Sequence, residues 1–561
     1  MYLNKFDSIA IGLWVLFMGG LAACVGMCVA GLAYGRSHPF QATNEWVVLG
    51  GMTGCAVLLI YSVVTALIVR VNSCSLGRGL SLAARPLSPL FLVALFTILL
   101  YVSDEFNHWV ISTSDAFWIC LLPISIFVLW TILTIFCHLD NVESGSTIQG
   151  RSEWTKSLRG SFDDSLGLCL IQFLALRIPV LFLLTPHALF ERGSDFGAYE
   201  QRARLGDQGL YPIIDYWVEY PPLFPWIASL ARSISNALGG GYERFDVTLG
   251  ACILLFDVGV LVLIYLIAMR IHSRSVAYQI ATFYTLLFLP LYIARRHFEA
   301  IPMFFMLLGI YWAVSNRLRS AAAALGIGFT AKVFPAVLIL VLLYQAGWRR
   351  ASSVFTGFAL PVLVVVLPFY FISREFLIAS FRNMVERPAW ESLWALIGGY
   401  SSYGWVHRYR LDPGTATEFL QGAVVPLEYM SLLTLGFLMA LFMVFFVSRH
   451  SRSEQSIILI SLTILSLFAI FLKGWSPQFA VWFVPLLLLA FPGSWGLCLS
   501  LLLTFISILE YPAYFVLWSE HDVALWIIVI ARTVFFSMVA VVALMKLRSE
   551  TNLERDVAYE T

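Results

Sequence analysis

Charge is scarce in this chain. Asp, Glu, Lys and Arg make up only 12% of its 561 residues, and the formal net charge is +1. Soluble domains carry about a quarter charged residues, so a soluble fold is the wrong starting point. The missing basic excess argues against a nucleic-acid binder. Paired cysteine chemistry is lacking too. Of the nine cysteines, eight lie in or at the ends of apolar runs and Cys74 sits in a basic loop. None forms a Cys-x-x-Cys pair, so they read as apolar fillers rather than metal ligands or bridges. No solenoid-type repeat is present. The first apolar run, about 9–34, is long for a signal-peptide core and reads as a retained span.

Apolar residues are abundant instead, at 60% of the chain, with 44 Phe and 18 Trp. They fall into runs of near-spanning length, from 9–34 to 523–545. The run at 320–347 is long for one helix and is interrupted by Lys332, Phe334 and Pro335. Proline ends or kinks helices, and arginines flank the run on both sides (Arg317, Arg319, Arg349, Arg350). It is therefore expected to split into two short helices turning near Lys332. The expected fold is all-α: a polytopic helical bundle with about 16 membrane segments and both termini cytoplasmic. Arg70, Arg78, Arg85, Arg270, Arg274, Arg449, Arg452, Lys546 and Arg548 support that orientation, and Arg295 and Arg296 oppose it.

The expected organisation is a four-helix membrane unit at 1–140, a cytoplasmic linker at 141–165, a core at 166–545 and a cytoplasmic tail at 546–561. Two large exoplasmic loops are expected, at about 187–246 and 374–426. Within the first, Leu223 to Leu238 reads as an interfacial helix or a re-entrant piece.

In this topology the polar residues collect on one side. Asp195 follows the fifth span; Arg295, Arg296, His297 and Glu299 fill a short turn; Lys332 is at the tip of the split hairpin; Lys473 and Gln478 flank another turn. Asp195 can be a general base taking a proton from a sugar or lipid hydroxyl. It can equally cap a helix starting near Phe196. Arg295, Arg296, His297, Lys332 and Lys473 can hold a phosphate or snorkel to head groups. Tyr199, Asp215, Glu219 and Tyr220 accompany Asp195. In the second loop Arg382, Arg387, Trp390, Glu391, Trp394 and Tyr403, among others, suit sugar or polyprenyl recognition, and equally an interfacial belt.

These motifs resemble the GT-C class of integral membrane glycosyltransferases, and within it the polyprenol-phosphate-mannose-dependent mannosyltransferases of glycosyltransferase family eighty-seven. The resemblance rests on Asp195, Tyr211-Pro212, Glu219 to Leu223, Arg296 to Glu299, Lys332 to Pro335, Lys473 to Phe479 and Trp482 to Pro485, and covers roughly 166–545. It implies a catalytic aspartate at Asp195 and donor-phosphate contacts from Arg295, Arg296, Lys332 and Lys473. The implied activity is inverting transfer of a hexosyl, here mannosyl, unit from a polyprenyl-phosphate sugar to a lipid-linked or glycan acceptor in glycolipid or cell-envelope glycan synthesis. The four-span N-terminal unit departs from the family, as does Gly197, which leaves Asp195 without an Asp-x-Asp pair. No cofactor and no required divalent metal are therefore expected. The partners expected are the donor, the acceptor and membrane lipids, with no nucleic acid. The expected location is a bacterial plasma membrane with the site on its exoplasmic face, or else the endoplasmic reticulum. The competing class is a secondary transporter or flippase of a lipid-linked or anionic substrate.

Overall fold

The computed structural model describes residues 165–183, 195–398, 409–418, 427–448, 453–518 and 522–560. The chain divides into two units, Met1–Lys156 and Ser157–Thr561, and every described residue belongs to the second. The spans expected before residue 165 and the expected linker up to 164 lie outside the described residues. The described part is helical, with two isolated β-bridges and no strand.

In chain order the helices are α1 (Ser165–Leu183), α2 (Phe196–Ala203), α3 (Leu223–Ala237), α4 (Tyr242–Ile271), α5 (Arg274–Leu286), α6 (Phe288–Arg296), α7 (Ala300–Val314) and α8 (Leu318–Ala331). They continue with α9 (Ile339–Ile372), α10 (Arg374–Glu386), α11 (Leu393–Ile397), α12 (Leu427–Ser448), α13 (Glu454–Phe471), α14 (Val484–Ala490), α15 (Ser494–Ile508) and α16 (Asp522–Glu560). Serines start several of them: Ser273 accepts from the Val276 amide at α5, and Ser453 from the Ser456 amide at α13. Five stretches are long and apolar enough to cross a membrane: Tyr242–Ile271, Phe334–Ile372, Glu454–Phe471, Ser494–Phe515 and Val523–Glu550. Shorter apolar helices pack among them. The described part is all-α, with the long apolar helices of a membrane protein.

The chain breaks at Lys332. There α8 stops in extended backbone, and a 3₁₀ turn at Phe334–Leu338, with Pro335 in its first turn, leads into α9. The second expected boundary, near Arg349, is a kink inside α9 rather than a separate loop. Gly347 makes it with φ 57°, a left-handed conformation that glycine adopts without a Cβ penalty. Beyond the kink α9 leaves Leu363, Val364, Phe371 and Ile372 exposed, as a lipid-facing helix would.

Both expected large loops carry structure. The first contains α2, a 3₁₀ turn at Arg204–Gln208, and α3. Helix α3 buries Phe224, Ala228, Ala231 and Ser235 and exposes Leu230 and Ile234, with Leu238 exposed at its C-cap. The second contains α10, α11 and a 3₁₀ turn at Pro413–Thr417. The two loops are laced together. The Val218 amide donates to Ser380 Oγ at 3.0 Å, Trp217 Nε1 donates to Thr415 Oγ1 at 3.0 Å, and the Trp217 amide donates to the Arg410 carbonyl at 3.1 Å. A separate apolar cluster of Phe196, Tyr199, Phe224, Phe245 and Phe298 lies under the first loop, with the Phe224 and Phe298 rings stacked 3.7 Å apart. That cluster fixes the start of α2 against the turn between α6 and α7.

Candidate active site

Asp195 occupies the N-cap position of α2, and its carbonyl accepts from the Tyr199 amide at 2.8 Å. Its side chain makes no capping bond. The carboxylate is turned inward instead. Oδ2 accepts from Tyr199 Oη at 3.1 Å and from Gln478 Nε2 at 3.5 Å, and lies 3.1 Å from His297 Nδ1. An ionised carboxylate only accepts, so Nδ1 is the protonated nitrogen of His297. Local chemistry explains the convergence. Phe196 and Tyr199 are buried and anchor α2. His297 sits in extended backbone just past the end of α6. Gln478 opens the 3₁₀ turn Pro477–Trp482, which Pro477 helps to start. All three polar contacts address Oδ2. The carboxylate side chain is 36% exposed. Burial pushes the Asp195 carboxyl up, but the hydrogen bond and charge of His297, with help from Arg202, outweigh it and hold the group below its ordinary value. Burial, and then the Asp195 charge, push the Tyr199 phenol well up, so it stays a donor.

Beside this lies a cationic group. Glu219 pairs with Arg202, with Arg410 at 3.4 Å and with Arg387 at 3.8 Å. Three guanidiniums thus share one carboxylate. Burial raises Glu219, but Arg202, Arg410 and Arg387 overcome it and hold the group at about 2. The surplus shows at Arg410. Burial and the neighbouring Arg202 push it down to about 10, and Glu219 only partly offsets them. Arg202 Nη1 and Arg410 Nη1 are buried without a hydrogen-bond partner. Buried charged donors left in that state are rare. Arg202 also lies 5.8 Å from the Tyr220 ring, and Tyr220 packs edge-on against Tyr199, Phe224 and Phe298. Tyr199, Arg202, Tyr216 and Tyr220 line a shared small pocket.

Glu299 and Lys332 come together as an ion pair, and Glu299 Oε2 also accepts from Trp482 Nε1 at 2.6 Å. The Lys332 ammonium stands over the rings of Phe479 (4.4 Å), Phe298 (4.9 Å) and Trp482 (5.3 Å). It is therefore neutralised and caged by groups of the protein itself. Lys473 donates to the Val385 carbonyl. Burial and then Arg387 push its ammonium down, which places it at the margin of the arginine group. Arg296 is fully buried, within electrostatic reach of Tyr292 and Tyr511. Arg295 is the penultimate residue of α6; its side chain lies outside the described residues.

Two expected contacts go elsewhere. Asp215 Oδ2 accepts from the Tyr211 amide at 2.8 Å, closing a local turn. Trp394 Nε1 donates to the Ile470 carbonyl at 3.2 Å, and its ring stacks on Phe471, which ties α11 to α13. Tyr403 lies outside the described residues. Arg202 and Arg410 were not anticipated, and Arg387 was anticipated only as one of many loop residues. One signal was available for Arg202. It lies three residues after Tyr199 on α2, a spacing that puts both on one helix face. Among the described residues no group of three or more His, Cys, Asp or Glu side chains converges as a metal site. A scan against protein-family models finds no match to this sequence, and a search of curated proteins finds none either.

Proposed function

We propose that the protein is a GT-C-like membrane glycosyltransferase that moves a hexosyl unit from a polyprenyl-phosphate sugar to a hydroxyl of a lipid-linked or glycan acceptor. Mannose is the sugar by family resemblance. The observation that carries the reading is Asp195: an N-cap aspartate whose carboxylate does not cap its helix but is turned to His297, near three arginines that share Glu219. Asp195 takes the proton of the acceptor hydroxyl. The acceptor oxygen bonds to the anomeric carbon as the bond from that carbon to the phosphate oxygen breaks, so the configuration inverts. The phosphate goes from a singly charged diester to a monoester with charge near −2. Donors placed where that charge grows lower the barrier. Arg202, Arg387 and Arg410 fill this role, with Lys473 at the edge. Lys332, already paired with Glu299, holds the site together instead.

The wider arrangement belongs to the same proposal. It comprises about 16 membrane segments, the site on the exoplasmic face of a bacterial plasma membrane, both termini cytoplasmic, and residues 1–140 as an accessory unit. The test is a screen of purified protein against a panel of polyprenyl-phosphate sugars with lipid-linked acceptors. Transfer from one donor, with inversion, is expected. Transfer from none, together with specific uptake of a solute into vesicles, would replace this reading with a transporter.

A further inference from the structure

Arg387 differs from the other two arginines around Glu219 in the backbone that delivers it. Arg202 issues from α2, and Arg410 lies over the Trp217 ring at 4.3 Å. Arg387 is the first residue past α10, and Pro388 follows it. A residue before proline is driven out of helical backbone, and Arg387 has φ −50° and ψ 130°. The chain therefore leaves α10 sharply, and three residues later Trp390 comes back beneath the guanidinium, which sits 4.1 Å from the ring centre.

The Trp390 ring is itself fixed with little freedom. Its backbone is stapled to the turn after α13: the Trp390 amide donates to the Lys473 carbonyl at 3.3 Å, and the Trp475 amide donates to the Trp390 carbonyl at 2.9 Å. Its indole donates to Ser476 Oγ at 3.3 Å. The ring lies directly on Gly474, where a Cβ would come within 2.2 to 2.3 Å of three ring carbons. No side chain, not even a methyl group, fits there without moving the ring. The same turn carries Lys473, and three residues beyond Trp475 it delivers Gln478 to Asp195.

We infer that Gly474 and Trp390 are positioning residues: glycine seats the indole, and the indole aims Arg387 at the anion pocket beside Glu219. A cation over an indole face is held by the ring quadrupole, and from there Arg387 Nη1 lies 3.8 Å from Glu219 Oε2. The inference rests on the proposed anion pocket for its purpose, but its geometric claim stands apart from it. It also ties the pocket and the general base to one turn, because Gly474 seats the Arg387 platform and Gln478 of the same turn reaches Asp195.

The experiment has two readouts on the full-length protein in detergent. The first is the rate of phenylglyoxal modification at Arg387, mapped by mass spectrometry, with Arg202 as the internal control. The second is affinity for farnesyl phosphate, a short polyprenyl monophosphate. Gly474→Ala and Trp390→Ala are each expected to raise Arg387 modification at least about fivefold and to weaken farnesyl phosphate binding by a similar factor, the scale of one lost cation–π contact. Trp390→Phe keeps a ring face and is expected to stay within about twofold of wild type in both. Gly474→Ala is expected to add nothing to binding in an Arg387→Gln background. Unchanged Arg387 modification in the folded variants overturns the inference, as does a rise shared equally by Arg202, which marks general loosening. If the wild type does not bind farnesyl phosphate while Arg387 modification still rises selectively, the positioning claim holds and the anion reading falls.

Discussion

Two charged clusters of this protein make an instructive pair. In the helical core, Arg177 of α1 meets Asp257 of α4 at 3.0 Å, and Asp257 also accepts from Tyr284 of α5 at 2.7 Å. Arg177 further donates to the Thr285 carbonyl at 3.3 Å and lies over Phe173 at 4.5 Å. One cation meets one anion, both fully shielded, and three helices are pinned. A bare charge at that depth is expensive, and here the charges balance one for one, although Arg177 Nη2 is buried without a hydrogen-bond partner. The group around Glu219 is built on the opposite principle. Three guanidiniums share one carboxylate, and the nearby Asp195 is part exposed. The lesson is that a buried charge alone does not mark a site. A balanced cluster suits a structural role, and an unbalanced one is the better candidate for a ligand site.

Breaking the balanced cluster is expected to act on the fold most strongly. Asp257→Asn leaves Arg177 buried and uncompensated, with an expected loss of about 3–5 kcal/mol. Thermal unfolding in detergent reads this, and the molecules that remain folded are expected to turn over normally. A stable Asp257→Asn protein with lost turnover would move this cluster into the chemistry.

Lys332→Met comes next. It strands Glu299, which is 1% exposed, although Trp482 still donates to it. A loss of about 2–4 kcal/mol in stability is expected, with turnover per folded molecule within about threefold of wild type. A large fall in turnover at unchanged stability would restore Lys332 as a phosphate ligand.

The unbalanced cluster has a pH signature. Glu219 is held at about 2 against an ordinary 4.5. A depressed carboxyl stabilises the fold fully above its unfolded value, and that stability is lost as pH falls through the folded value. Wild type should therefore weaken between pH 4.5 and 2, and Glu219→Gln should show a flatter profile there while being less stable at neutral pH. Equal slopes for the two proteins would remove Glu219 from the cluster's electrostatics. The smallest effect concerns metals: chelation is expected to leave turnover within about twofold, because the proposed phosphate ligands are cationic and hard divalent ions need several oxygen ligands. Loss of turnover on chelation with rescue by a divalent ion would contradict this.

The contrast also separates what could be read in the sequence from what could not. The helix break at Lys332 was legible because Phe334-Pro335 interrupts an apolar run locally. The position of Asp195 at a helix start was legible for the same reason. What Asp195 does there was not, since its partners His297 and Gln478 come from distant turns. Lys332 and Lys473 stood out as charges near apolar runs, yet one is neutralised by Glu299 and the other is bonded to a carbonyl. Arg202 and Arg410 did not stand out, because each lies in a polar loop where arginine is ordinary. Only the lacing of the first loop onto the second brings Arg410 to Glu219. Local proline and capping signals survive in one dimension, but charge balance is a property of three.

The most direct test is Asp195→Asn, assayed with a polyprenyl-phosphate sugar that the wild type uses, alongside farnesyl phosphate affinity and thermal stability. The general-base role predicts a fall in turnover of about 10²–10⁴-fold, with affinity and stability close to wild type. Full turnover by the folded variant would contradict it.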